Sequence, residues 1–107
     1  RLSGDIVSAE KYYRLDLVLN PYCPEVNNML GAVTGQLGNI DEAVKRLEMA
    51  VFAAPHYKAA YKNLATAYVS VKDYANARKI LEKYLAINEP DEEFLMLLKE
   101  IDRLAGK

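Results

Sequence analysis

The sequence aligns with itself when it is shifted by 34 residues. Segment 27–55, NNMLGAVTGQLGNIDEAVKRLEMAVFAAP, lies over segment 61–89, YKNLATAYVSVKDYANARKILEKYLAINE, and the shift places Leu30 over Leu64. Periods of this length are typical of arrays in which one repeat cannot bury its apolar face alone and must stack on its neighbours. The repeat therefore predicts a stacked array and disfavours a closed bundle.

Within each repeat, the spacing of apolar residues is helical. The intervals are four, three and four residues in the first half of the first unit, at Val26, Leu30, Val33 and Leu37. Six helices are predicted, near residues 5–19, 24–37, 41–53, 58–71, 75–88 and 91–104. Pro24 and Pro90 suit the first turn of a helix, where the missing N–H costs nothing.

Three glycines fall close together, and the repeat register suggests a different role for each. Gly31 aligns with Ala65 and is expected on the inner face of its helix, where a larger side chain would overpack the second helix of the pair. Gly38 lies in the turn LGNID, where a left-handed residue commonly ends a helix. Gly35 has no evident packing role. No phosphate-binding glycine motif is present.

A 34-residue helix–turn–helix unit resembles the tetratricopeptide repeat family. The residues that carry the resemblance are Leu30, Gly31, Ala43, Leu47, Ala50 and Pro55 in the first unit and Tyr61, Leu64, Ala65, Tyr68, Ala77 and Leu81 in the second. The resemblance implies an all-α fold, a right-handed α-solenoid of antiparallel helix pairs. Residues 1–107 would form one domain, divided into the helix of a truncated repeat, two full repeats and a capping helix at 1–23, 24–57, 58–91 and 92–107.

The resemblance also implies that the first helix of each pair lines a concave groove. The predicted partner-binding residues are Glu25, Asn28, Ala32, Gln36, Ala59, Lys62, Asn63, Thr66, Val69, Ser70 and Met96. This surface is mostly small and weakly polar, which leaves room for the large side chains of a partner helix or peptide. For each residue alone, an ordinary solvated wall is an equally good interpretation, because exposed polar residues are common.

Some members of the family clamp the C-terminal carboxylate of a peptide with lysine, asparagine and arginine. Lys62 and Asn63 would suit such a clamp. The remaining positions of the clamp do not hold the expected residues, at Asn28, Ala32, Glu93 and Met96. The clamp is therefore predicted to be absent, and a chaperone tail is not the expected ligand.

Composition excludes several other functions. The net charge is −1, which gives no electrostatic basis for a nucleic-acid partner. No apolar run approaches the roughly 20 residues that span a bilayer, so membrane insertion is not expected. Cys23 and His56 are isolated, and no metal-ligand cluster, cofactor motif or catalytic constellation appears. The chain is predicted not to be an enzyme; its localisation is undetermined, with the cytoplasm as the default.

The leading hypothesis is a protein–protein interaction scaffold that binds a partner peptide or helix in its groove. The alternative is a self-association or spacer segment of a larger repeat protein, attached to an enzyme domain elsewhere. The register makes the first helix the second half of a repeat, so Ile6, Ala9 and Tyr13 are expected at an open N-terminal face. A homodimer through that face is one way to cover it. At the other end, Leu97 and Leu104 are expected to point outward from a charged capping helix.

Overall fold

The computed structural model describes residues 4–106, which form six α-helices joined by short turns. The helices are α1 (Gly4–Leu19), α2 (Pro24–Gln36), α3 (Ile40–Ala53), α4 (Lys58–Ser70), α5 (Tyr74–Ile87) and α6 (Glu92–Leu104). No strand occurs in this part of the chain. Each predicted helix end is within one residue of its observed position. Extents of 41 × 31 × 19 Å show an elongated stack, as the repeat predicted.

Side-chain caps fix where three of the helices begin. Asn39 and Asp73, one repeat apart, each accept a hydrogen bond from a backbone N–H three residues later, at 3.3 Å in both cases. Asp91 does the same for α6, at 3.1 Å from the Phe94 N–H. Such caps satisfy backbone donors that the first turn leaves without partners. Pro24 lies in the first turn of α2, but Pro90 precedes the cap of α6, so the prediction for Pro90 was wrong.

The core is a row of leucines spaced by half a repeat. Leu30, Leu47, Leu64 and Leu81 come from α2 to α5 in order, and all are buried. The row ends in an aromatic cluster, in which the Tyr84 ring lies 5.0 Å from that of Tyr61 and 4.6 Å from that of Phe94. Phe94 comes from α6, so this last helix closes the apolar core.

Gly31 permits a close approach between α2 and α3. A Cβ atom built there would lie 2.6 Å from Cγ of Leu47, well inside van der Waals contact. By contrast, a Cβ atom at Gly35 would make an ordinary contact of 3.6 Å with Cβ of Ala43. The close-packing role predicted for Gly31 is therefore confirmed, and Gly35 has room for a methyl group.

The exposed apolar residues at the two ends differ in part from those predicted. On α1, Ile6, Ala9 and Tyr13 are half-buried instead of lying open. The exposed large apolar side chains of this helix and the turn after it are Val7, Tyr12, Leu15, Val18, Leu19 and Tyr22. An open apolar face is thus present on α1, but other residues form it.

On α6, Leu97 packs against the core, whereas Leu95 and Met96 are exposed together with Leu104. Asp102 of this helix pairs with Arg78 of α5 at 2.6 Å. The capping helix is therefore joined to its neighbour by an ion pair, and its exposed apolar area comes from Leu95, Met96 and Leu104, of which Leu104 was predicted.

Candidate partner-binding groove

A cavity of about 350 Å³ lies between α2 and α4, where the sequence predicted a concave groove. We call it the groove cavity. Its walls come from α2 and α4, with Ala32, Gly35, Gln36, Asn63, Thr66 and Ser70. Its floor consists of Gly31, Ile40, Ala43, Leu47 and Ala67. The cavity brings together five of the eleven predicted residues, namely Ala32, Gln36, Asn63, Thr66 and Ser70.

The depth of the groove cavity follows from small side chains at the helix crossing. Gly31 and Gly35 leave α2 without side chains where it faces Ala43 of α3. Ala67 of α4 completes a floor that is almost entirely aliphatic. The sequence did not predict that α3 contributes Ile40 and Ala43 to this floor, because periodicity assigned the groove to the first helices alone.

The wall at Asn63 is held by a chain of hydrogen bonds. Asn63 Nδ2 donates to Asn28 Oδ1 at 2.9 Å, and Asn28 Nδ2 donates to Tyr57 Oη at 3.2 Å. Asn28 is only 4% exposed, so it lies beneath the surface and supports Asn63 rather than presenting itself to a partner. The amide oxygen of Asn63 accepts no hydrogen bond from residues 4–106, so it can serve as an acceptor.

The two hydroxyl groups of the α4 wall, on Thr66 and Ser70, also present hydrogen-bond acceptors. Thr66 Oγ1 donates to the Lys62 carbonyl at 2.9 Å, and Ser70 Oγ donates to the Ala67 carbonyl at 2.6 Å. Since each hydroxyl proton is used within its own helix, both oxygens face outward as acceptors. The α4 wall is therefore an uncharged row of acceptors above an apolar floor.

Lysines near the groove are already paired with carboxylates at the start of α6. Lys58 Nζ lies 2.8 Å from Asp91 Oδ2, and Lys62 Nζ lies 2.6 Å from Glu93 Oε2. The Lys58 ammonium holds the pKa of Asp91 below its usual value, and Lys62, followed by Lys58, does the same for Glu93. Because both lysines are paired, they are not free to bind the carboxylate of a ligand.

Six of the eleven predicted groove residues lie outside the cavity. Glu25 is at the first turn of α2, Ala59 is exposed at the start of α4, and Met96 is exposed on α6. Val69 is half-buried and packs against the core. With Asn28 beneath the wall and Lys62 in its ion pair, they complete the eleven predicted positions.

The isolated cysteine and histidine make structural contacts. Cys23 precedes α2, and its Sγ lies 3.4 Å from a carboxylate oxygen of Glu25. The His56 ring is hydrogen-bonded to the side chain of Asn88. Within residues 4–106, no three His, Cys, Asp or Glu side chains converge to hold a metal ion. No helix of that range has the length and apolarity to cross a membrane.

Comparisons with known proteins agree on the architecture. A family model described as tetratricopeptide repeat matches residues 36–101. The first TPR of Spaghetti (RPAP3), bound to the HSP90 peptide SRMEEVD, is 20% identical with a TM-score of 0.83, over 97% of this chain and 82% of that one. The TPR2B domain of yeast Sti1, in complex with pHsp70, is 26% identical with a TM-score of 0.74, over 94% and 80%.

A third similar structure, that of MamA, is 22% identical with a TM-score of 0.83. It covers 96% of this chain, which spans only 60% of the length of MamA. Among curated proteins, none matches. Together these findings establish an all-α solenoid of tetratricopeptide type.

Proposed function

We propose a binding function for this chain, which belongs to the tetratricopeptide repeat family. The fold is a protein-interaction scaffold, and two of the similar domains were solved with a chaperone peptide or protein, HSP90 peptide for Spaghetti and pHsp70 for Sti1. In this proposal the chain binds a segment of a partner protein in the groove cavity. The observation that carries the proposal is a cavity with an apolar floor and a polar wall.

The chemistry of the groove cavity favours an uncharged segment. An aliphatic side chain would bury its surface on Ala43, Leu47 and Ala67. Backbone or amide N–H groups of the ligand would donate to the acceptors of Asn63 and Thr66. A carboxylate would meet uncharged groups at this wall, and Lys62 beside it is already paired with Glu93, so a buried carboxylate would be disfavoured.

The experiment is a selection of displayed peptides against the immobilised chain, followed by affinity measurement of the selected peptides by fluorescence polarisation. Gly35→Leu fills the cavity from a helical position where a Cβ has room, so the variant should stay folded. Affinity should fall about tenfold or more, the effect of about 1.4 kcal/mol. Ala86→Leu, which adds the same side chain at an exposed position of α5, is the matched control.

The proposal fails if selected peptides bind Gly35→Leu as tightly as the wild type. Circular dichroism of both variants checks that the helices persist.

A second candidate function is self-association through α1. Leu15, Val18 and Leu19 form an exposed apolar face on this helix, which favours a homodimer. Light scattering after size-exclusion chromatography would show a mass of twice 12.0 kDa, and Val18→Glu should restore the monomer. A monomeric mass at high concentration would exclude this candidate.

A further inference from the structure

A second cavity, of about 540 Å³, lies on the opposite side of α3 from the groove cavity. We call it the outer groove. Its apolar lining comes from the turn after α1 and from α3 and α5, and comprises Tyr22, Met49, Val51, Phe52, Ala53 and Ile80. Phe52 is 84% exposed, which is unusual for an aromatic side chain with no neighbour covering it. An apolar surface of this kind, with polar residues at its rim, is typical of an interaction site.

The outer groove is separate from the groove cavity. No residue lines both. On α3, Ala43 and Leu47 face α2 and form the floor of the groove cavity, whereas Glu48 and Phe52 lie on the outer side. A ligand in one groove therefore leaves the other accessible.

The rim of the outer groove is positively charged. Lys45 and Lys83 line it, and Lys79 lines an adjoining depression that shares Ile80 and Lys83. None of these three lysines has an ion-pair partner among residues 4–106, unlike Lys58 and Lys62. A positive rim is a local excess in a chain whose net charge is −1.

One acidic residue, Glu48, lines both the outer groove and the adjoining depression. Its Oε2 accepts a hydrogen bond from Tyr68 Oη at 2.8 Å, which holds the carboxylate toward α4. The neutral hydroxyl leaves the charge of Glu48 in place, but three lysines against one carboxylate keep the rim positive overall.

We propose that the outer groove binds an acidic amphipathic segment of a partner protein. Its apolar side chains would pack on Met49, Phe52 and Ile80, as an amphipathic helix lies in a hydrophobic groove. Its carboxylates would face Lys45, Lys79 and Lys83, so that charge sets the orientation and the choice of partner.

The same charges argue against a second copy of the chain as the occupant. In a two-fold symmetric dimer, each copy presents the same surface to the other. Contact through the outer groove would bring the Lys45 and Lys83 groups of both copies together. Like charges across an interface are unfavourable, so a carboxylate-bearing partner fits this surface better.

Two synthetic peptides test the proposal. Both are helical and fluorescein-labelled, and both have leucines spaced alternately three and four residues apart, so that the leucines share one face. One peptide carries glutamate beside the leucines, and the other carries lysine there. We expect the glutamate peptide to bind about tenfold or more tightly than the lysine peptide, and to weaken as NaCl is raised. Amide chemical shifts should change on α3 and α5.

Three variants assign the binding to the outer groove. The double substitution Lys45→Glu with Lys83→Glu should reverse the preference between the two peptides. Phe52→Ser should lower the affinity for the glutamate peptide about tenfold. Because Phe52 is exposed, this substitution removes no buried contact of the fold. Gly35→Leu, which fills the groove cavity, should leave this binding unchanged, so failure here and failure of the proposed groove binding can be told apart.

Four results would overturn the proposal. They are no binding of either peptide, equal binding of both, binding that survives the charge reversal, and self-association of the chain that Phe52→Ser abolishes. Circular dichroism confirms that each variant is folded before it is scored.

Discussion

The guanidinium of Arg14 donates two hydrogen bonds to the carboxylate of Glu42, at 2.7 and 2.9 Å. The pair joins α1 directly to α3, although α2 lies between them in the chain. Arg14 also binds Glu10 on its own helix, at 2.8 Å, and Glu42 also contacts Arg46, at 3.5 Å. The first helix is therefore held by a four-residue charge network in addition to its apolar contacts.

This network predicts a dependence of stability on pH. The hydrogen bonds from Arg14 lower the pKa of Glu42 in the folded state. Because the folded pKa lies below the unfolded value of about 4.3, the stabilisation is present above that pH and is lost as pH falls through the folded pKa.

Arg14→Gln should therefore lower the free energy of unfolding at pH 7 by about 0.2–1 kcal/mol, the range for partly exposed pairs. The difference from the wild type should shrink as the pH falls below about 4. Urea unfolding across this pH range measures it. Lys11→Gln is the control, because it removes a positive charge from the same helix at an exposed residue that has no ion pair among residues 4–106. A difference that stays constant with pH would contradict the assignment.

The turns after α2 and α4 have the same backbone conformation but different residues. Gly38 has φ = +89° and Lys72, one repeat later, has φ = +61°. Each turn closes with the same two hydrogen bonds, such as Asn39 N–H to the Thr34 carbonyl at 2.8 Å and Asp73 N–H to the Tyr68 carbonyl at 2.9 Å. These are the bonds of a Schellman motif, which favours glycine at this position.

Lys72→Gly should therefore stabilise the chain, by up to about 1 kcal/mol, because glycine adopts positive φ without steric cost. Gly38→Ala should destabilise it by about 1–2 kcal/mol, although nothing lies near the added methyl group. Urea unfolding compares these with Lys72→Ala, which removes the charge and keeps the conformational cost. If Lys72→Ala stabilises as much as Lys72→Gly, the charge and not the backbone is responsible.

Substitution of the two helical glycines by alanine should have opposite effects. Alanine at Gly35 has room and improves helix propensity, so stability should rise by up to about 1 kcal/mol. Alanine at Gly31 gains the same propensity but must displace Leu47, and overpacking costs about 1–3 kcal/mol. Thermal unfolding monitored by circular dichroism measures both. Equal stabilisation by the two variants would show that Leu47 moves aside freely.

The ion pairs at the start of α6 predict how the chain treats an acidic tail. The terminal carboxylate of the peptide SRMEEVD, which is present in the Spaghetti complex, should not contribute to binding by the wild type. Glu93→Gln releases Lys62 and should create weak, salt-sensitive binding of that peptide. Fluorescence polarisation compares it with the C-terminally amidated form. Preference of the wild type for the free acid would contradict the prediction.

Helix positions were predictable from sequence because their signals are local. Apolar spacing, the cap residues Asn39 and Asp73 and the turn at Gly38 all act within a few residues. Pro90 was misplaced because α6 begins one repeat of 34 residues after α4, which puts Asp91 at the cap and Pro90 before it. Leu97 was misplaced because the rotation of α6 about its axis is set by Phe94 entering the core, which spacing alone does not fix.

The groove was predictable only in part because it depends on how the helices cross. Small residues at Ala32 and Gly35 indicated an open surface, and the structure places both at the cavity. The burial of Asn28 and the pairing of Lys62 depend on contacts with residues about 30 positions away. The outer groove left no sequence signal, since Phe52 comes from α3 and Tyr22 from the turn after α1, which are distant in sequence. The repeat boundaries remain predictions.

The segment at the start of α6, residues 91–94, has two structural roles. Phe94 plugs the aromatic end of the core, and Asp91 and Glu93, at and just after the start of the same helix, cover Lys58 and Lys62. Displacing that segment would unmask two cations and an apolar hole in one movement. The electrostatic sign of this end of the molecule is thus governed by whether its last helix stays docked.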